Sequence, residues 1–299
     1  MRYFILISHL KLQNANAMSS PYTIGFPAMT SWLGGVHAIQ RKLETTSYKG
    51  ITLDKVAISC HDFDLQTYRG KGDFVNSIIG TANPLDKDGS RPAFIEEARC
   101  HLDVSLLVEC LNFDIDPDEF ADFENHIKQL VLCMKYASGD VVDVKNCEII
   151  KFDDYSDNNR DFNKILHKLM LGHVLIERRD LVKSTMQNEQ KDALDAILDY
   201  LKITHSATQD DNSTVTWTSS RKTNGWLVPI AVGFQGISDL GYAKNQRDDT
   251  TPHRFAESIV TLGEFVMPYR IKQIDDMLWQ YRVDLENNLY LCQNLITTN

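Results

Sequence analysis

Leu102, Val104, Leu106, Val108 and Cys110 alternate with His101, Asp103, Ser105 and Glu109, a period of two that fits a strand buried on one face. This run limits the fold most, because patterned segments flank it in a fixed order. Upstream, Tyr3–Leu12 is apolar on both faces, as a central strand is. Met29, Leu33, Val36 and Leu43 then recur at helical spacing with Gln40 filling the gap, and Lys55–Leu65 reads as a second strand. Downstream, Asp116 as N-cap, Pro117 at the first position and Glu119 completing a capping box open a helix. Its stripe is Phe120, Phe123, Ile127, Leu130, Val131 and Met134, with Gly139 as its end, and Val141–Phe152 supplies a last strand. Strand, helix, strand, strand, helix, strand predicts an α+β fold with a ferredoxin-like (RRM-like) βαββαβ head over residues 1–153.

Residues 154–299 are expected to form a C-terminal mixed helix/hairpin region. The polar run Asp153–Asp161 reads as a linker. Asn188–Lys202 predicts an amphipathic helix with Leu194, Ile197, Leu198 and Leu201 on one side, followed by a polar loop over Ser206–Ser213. Val215–Trp217 and Trp226–Phe234 read as hairpin strands, and Pro252–Phe265 and Arg270–Tyr281 as helices.

Charge narrows the function classes. The chain of 299 residues carries a net charge of -10, which excludes a wholly basic nucleic-acid coat but not a local basic face. Residues 1–50 hold five bases (Arg2, Lys11, Arg41, Lys42, Lys49) against Glu44 alone, a net of +4. Residues 86–125 hold twelve acids and three bases, a net of -9. The asymmetry suggests one face for an anionic ligand and another for a different contact. None of the six cysteines forms a CxxC pair, so no zinc ribbon is expected and the thiols read as reduced. Ser8, His9 and Lys11 interrupt the apolar N-terminus, which therefore reads as a buried strand rather than a signal peptide. No apolar run approaches the roughly 18 residues of a membrane span. A cytoplasmic protein without membrane contact is expected.

The most informative loop is Leu12–Pro27, LQNANAMSSPYTIGFP, between a strand and a helix. Gln13, Asn14, Asn16, Ser19, Ser20 and Thr23 suit phosphates, sugars or base edges, or equally the capping of their own turn. The next helix presents Trp32, Gly34, Gly35, His37, Arg41 and Lys42; the glycines cost helix stability and suggest a close neighbour. Gly225–Gly236 mixes apolar anchors, Trp226 among them, with glycines, and Thr251–Glu264 places Arg254 in the first turn of an expected helix. His61-Asp62 has the look of a metal dipeptide, but alternation sends the two side chains to opposite faces, so no metal site is expected. His9, His61 and His101 read as acid–base candidates or as structural histidines. No GxSxG, P-loop or GxGxxG pattern is present and no cofactor is expected.

NANAMSSPYTIGFP followed by VHAIQRK, then EEARCHLDVSLL, then GWLVPIAVGF and TPHRFAESIVTLGE, resemble the Csy-two subunits of type I-F CRISPR surveillance complexes, within the RAMP superfamily. The resemblance runs from about residue 6 to residue 281. It implies a ferredoxin-like head with a thumb-like part and closing helices in residues 154–299. It also implies a noncatalytic subunit that caps the crRNA 5′ handle, docks the large subunit, adjoins a backbone subunit and meets target DNA within a hetero-oligomer. Under that reading Gln13, Asn14, Asn16, Ser19, Ser20, Thr23, Trp32, His37, Arg41, Lys42, Arg221, Trp226 and Arg254 are the candidate RNA-binding residues, with Tyr22 and Phe26 as further stacking candidates. Two other functions fit the residues: a RAMP-type endoribonuclease using His37, His61 or His101 as base, and a stand-alone RNA-recognition protein.

Overall fold

The computed structural model describes residues 1–79, 85–91, 97–153, 159–210, 213–246, 248 and 250–294. The patterned half forms its elements close to where expected: β1 (Arg2–Asn16), α1 (Met29–Leu43), β4 (Thr52–Leu65), β7 (Arg99–Leu111), α2 (Phe120–Leu132) and β9 (Gly139–Phe152). A small hairpin, β2 (Met18–Ser20) and β3 (Thr23–Ile24), fills the loop before α1, and β5 (Thr67–Tyr68) pairs with β6 (Ser77–Ile78). Asp116 makes no side-chain cap; a 3-10 turn at Pro117–Glu119 leads into α2 instead. Helix α2 ends at Leu132, short of Gly139, which opens β9 beyond the short strand β8 (Lys135–Tyr136) and packs against Ala15.

The expected ferredoxin-like (RRM-like) head is corrected by what happens at β4. That strand is not an edge. One antiparallel sheet of ten strands runs β10-β14-β13-β16-β15-β4-β7-β1-β9-β8, using β10 (His173–Glu177), β13 (Trp226–Gly236), β14 (Ala256–Val266), β15 (Trp279–Asp284) and β16 (Leu289–Asn294). β10 also pairs with β4, through His173 with Cys60 and Val174 with Ser59, so β4, β10, β14, β13, β16 and β15 close into a ring. Closure satisfies the backbone groups that an exposed edge would leave open. Trp279 lies fully buried inside, its indole N–H donating to the Leu175 carbonyl at 2.9 Å.

Two helices expected downstream are not formed. Residues 256–266 of the Pro252–Phe265 segment and its flank are strand β14, and Arg270–Tyr281 contains 3-10 turns and the start of β15. The Asn188–Lys202 helix is split. α3 (Arg160–Leu169) and α4 (Arg179–Glu189) precede it, Gln190 turns left-handed, and α5 (Ala193–Leu201) restarts with Asp192 accepting from the Asp195 N–H at 2.8 Å. The restart changes the phase, so Ala196, Ile197 and Tyr200 are buried while Leu194 and Leu198 are exposed. The polar loop expected over Ser206–Ser213 begins instead as β11 (Thr204–Gln209), which pairs with β12 (Val215–Ser220) in a ribbon exposed on both faces. Of the expected linker, residues 154–158 lie outside the described residues.

The two sheet faces differ. Ile5, Ile7, Leu10, Leu12, Val56, Ile58, Leu102, Val104, Leu106 and Val108 share one core with α1 and α2. On the other face, Phe4, Leu6, Ala57 and Leu107 join Phe162, Ile165, Leu166 and Leu169 of α3. That second core covers only the end of the sheet where β1 begins. Toward the end of β1, the same face carries His9, His101, Asp103 and Ser105.

Candidate nucleic-acid interface

The open end of the second face adjoins the amide-rich loop. Asn14 stands at φ 54, a left-handed conformation that asparagine tolerates, where the β1–β7 register shifts between Leu12 and Ala15. Its N–H donates to His101 Nδ1 at 3.1 Å, and its carbonyl accepts from Arg99 at 3.2 Å. Those contacts fix the backbone and leave the exposed side chains of Gln13 and Asn14 facing solvent. Asn16 is also exposed, with Oδ1 accepting from the Met18 N–H at 2.9 Å.

The hydroxyls act differently. Ser20 and Thr23 are buried and pair at 2.7 Å, while Ser19 reaches the same Thr23 hydroxyl at 2.9 Å. They knit the β2–β3 turn and hold its tip, where Tyr22 is 75% exposed. The loop thus divides into amides that face outward and hydroxyls that support them.

Trp32 is fully buried, stacked between Phe26 at 5.4 Å and Tyr136 at 6.0 Å, so neither Trp32 nor the equally enclosed Phe26 offers a ring to a base. Gly35 explains the close helix packing: a β-carbon there would strike the Tyr136 ring of this same chain. A β-carbon at Gly34 would meet the Tyr281 hydroxyl only at ordinary contact distance. Trp226 lies at the start of β13, half exposed, with its ring 5.1 Å from Phe265, which itself meets Phe26 at 5.3 Å. Trp226 is therefore within one aromatic chain of the loop.

The basic candidates are dispersed. His37, Arg41 and Lys42 are exposed on α1, but Arg41 is twelve residues beyond Met29, about 18 Å along the helix from the loop. Arg41 and Lys42 occupy the last turn, where cations complement the helix dipole. Arg221 is exposed at the foot of the β11–β12 ribbon, before Trp226. Arg254 is not in a helix; it lies over Gly236, with its guanidinium donating to Asn288 Oδ1. Gly236 ends β13, ten residues and about 33 Å of strand from Trp226.

Arg99 and Asp103 escaped the sequence reading, although the β7 alternation places both on the face of His101. His61 is held below its ordinary range, first by burial and then by its neighbour His9. Burial also pushes the thiols of Cys60, Cys100, Cys147 and Cys292 up to about 12, which keeps them unreactive. No helix of the described residues is long and apolar enough to cross a membrane.

Residues 5–292 match the family described as CRISPR-associated protein (Cas_Csy2). A curated relative, CRISPR-associated protein Csy2 of Pseudomonas aeruginosa (strain UCBPP-PA14), is 32% identical over 309 residues, spanning 96% of this chain and 93% of the relative. The chain therefore belongs to the Csy2 family of CRISPR-associated proteins.

Proposed function

We propose that the chain is a noncatalytic, cytoplasmic subunit of a type I-F CRISPR effector complex, binding the 5′ handle of the crRNA and docking the large subunit for target DNA recognition. The observation that carries this reading is the outward-facing set Gln13, Asn14 and Asn16, braced from below by His101 and the Ser20–Thr23 pair, beside the exposed ring of Tyr22. A backbone fixed by hydrogen bonds, presenting exposed amides and an aromatic face, suits splayed bases, which are read through edges and stacking. The β11–β12 ribbon, with Trp217 70% exposed, and the exposed Leu194 and Leu198 of α5 suit protein contacts in a hetero-oligomer. Domain limits at 1–153 and 154–299 remain part of this proposal as functional regions, although one sheet draws strands from both.

The test is purification of the tagged chain from its native host, with sequencing of the bound RNA. The expected result is a complex holding crRNA, a large subunit and a backbone subunit. A stable monomer that binds handle RNA with full affinity would contradict the proposal. Cleavage of repeat RNA by the isolated chain would turn it toward an endoribonuclease.

A further inference from the structure

His9, His61 and Asp103 come from three neighbouring strands, β1, β4 and β7, and one donor atom of each lies within 4.8 Å of the others. Two irregularities bring them there. The β1–β7 register slips between Ile7 and Leu10, with His9 at φ 49, and the β4–β7 register slips between Cys60 and Asp62. A left-handed conformation is uncommon outside glycine, although histidine is among the residues that adopt it, and bulges commonly re-aim a side chain toward a site. The His9 Nδ1 atom sits 3.0 and 3.1 Å from the two oxygens of Asp103. The His61 ring stacks on the His9 ring with centroids 4.3 Å apart.

Ser105 and Gly172 pack beside the rings. Buried Ser105 accepts the His9 N–H at 3.1 Å and pairs with His61 Nε2 at 2.8 Å. Gly172 presses on the other side of His61, where a β-carbon would collide with Ser59 and the imidazole. The His9 and Asp103 side chains keep 31% and 23% exposure, so solvent reaches the group. An ion pair with Asp103 needs only one histidine. The second imidazole, parallel to the first, adds nothing to that pair and would repel it if both rings were charged.

We propose that His9, His61 and Asp103 bind one divalent cation of the zinc class. Two imidazole nitrogens and one carboxylate suit Zn²⁺, whereas Mg²⁺ and Ca²⁺ prefer oxygen throughout. Donors about 2.1 Å from a tetrahedral ion stand about 3.4 Å apart, so binding requires the three donors, now within 4.8 Å of one another, to draw together and the stacked rings to rotate until their in-plane lone pairs converge on the ion. Three protein donors leave a fourth position open to water or an anionic oxygen. The proposal does not depend on the RNA reading.

The test is titration of the chelator-stripped full-length chain, free of RNA, with Zn²⁺ by calorimetry and with Co²⁺ by visible absorption. The wild-type chain should bind one equivalent, raise its melting temperature with zinc and give a four-coordinate cobalt spectrum. His9→Ala and the isosteric Asp103→Asn should each weaken that equivalent about tenfold or more, while His167→Ala, on the exposed side of α3, should not. A wild-type chain with neither a zinc-dependent melting shift nor a cobalt spectrum would overturn the proposal. So would zinc affinity unchanged in a folded Asp103→Asn chain.

Discussion

On one face of β7, Leu102, Val104, Leu106, Val108 and Cys110 are buried along the whole strand beneath α1 and α2. On the other, Leu107 is buried in the cluster of α3, but His101 and Asp103 further back along the strand remain partly open. One face of β7 is therefore closed along its whole length, while the second is closed at one end and partly open at the other. The difference teaches where substitutions will be felt as folding and where as binding.

The largest effect belongs to the closed face. Leu106→Ala removes a fully buried side chain and should cost about 2–5 kcal/mol in urea unfolding, whereas Gln13→Ala, at an exposed position near the end of β1, should stay within about 0.5 kcal/mol. Equal losses would erase the distinction between the faces. Next comes Gly35→Ala. Alanine favours helix by about 1 kcal/mol, but the Tyr136 ring is enclosed and cannot retreat, so overpacking of about 1–3 kcal/mol should leave the variant less stable. A raised melting temperature would show that α1 does not seat on β8 as described.

A pH test sharpens the contrast within the buried region. Glu177 on β10 is pushed from 4.5 up to about 7 by burial, against the opposing pull of Arg179 and the Asn294 N–H. The folded chain then holds a proton that the unfolded chain has released, so stability should fall as pH rises from about 4.5 to about 7 and level off above. The contribution is of order 1–3 kcal/mol, and Glu177→Gln should flatten that slope in melting temperature against pH. An unchanged slope in the variant would assign it to other groups.

Why some of this was legible follows from how each strand is covered. β7 is apolar on one side and polar at its open end on the other, so its alternation reads directly. β14 is partnered on both sides and buried across consecutive residues Thr261–Val266, Thr261 and Glu264 included, so it shows no period-two alternation to set it apart from a helix; the β-branched Ile259, Val260 and Thr261 were the better signal. The ring closure at β4 rests on pairings between distant segments, Cys60 with His173 and Val56 with Trp279, which leave no local mark. The site was half legible. The amides of the loop were read from composition, but the split between outward Asn14 and inward Thr23 depends on turn geometry. Strict alternation sends His61 and Asp62 to opposite faces, and the bulges at His9 and Cys60–Asp62, which bring His61 beside His9 and Asp103, leave no mark in the local pattern.

The smallest expected effect on stability accompanies the most direct test of the central claim, that the outward amides of the loop bind the crRNA handle. An Asn14→Ala, Asn16→Ala double variant should be compared with wild type in the assembled complex, measuring handle-RNA affinity and melting temperature on the same preparation. Two lost hydrogen bonds at about 0.5–1.5 kcal/mol each predict affinity weakened about 5- to 160-fold, with the melting temperature nearly unchanged. Unchanged affinity, or an affinity loss that appears only together with a collapse in melting temperature, would contradict the account.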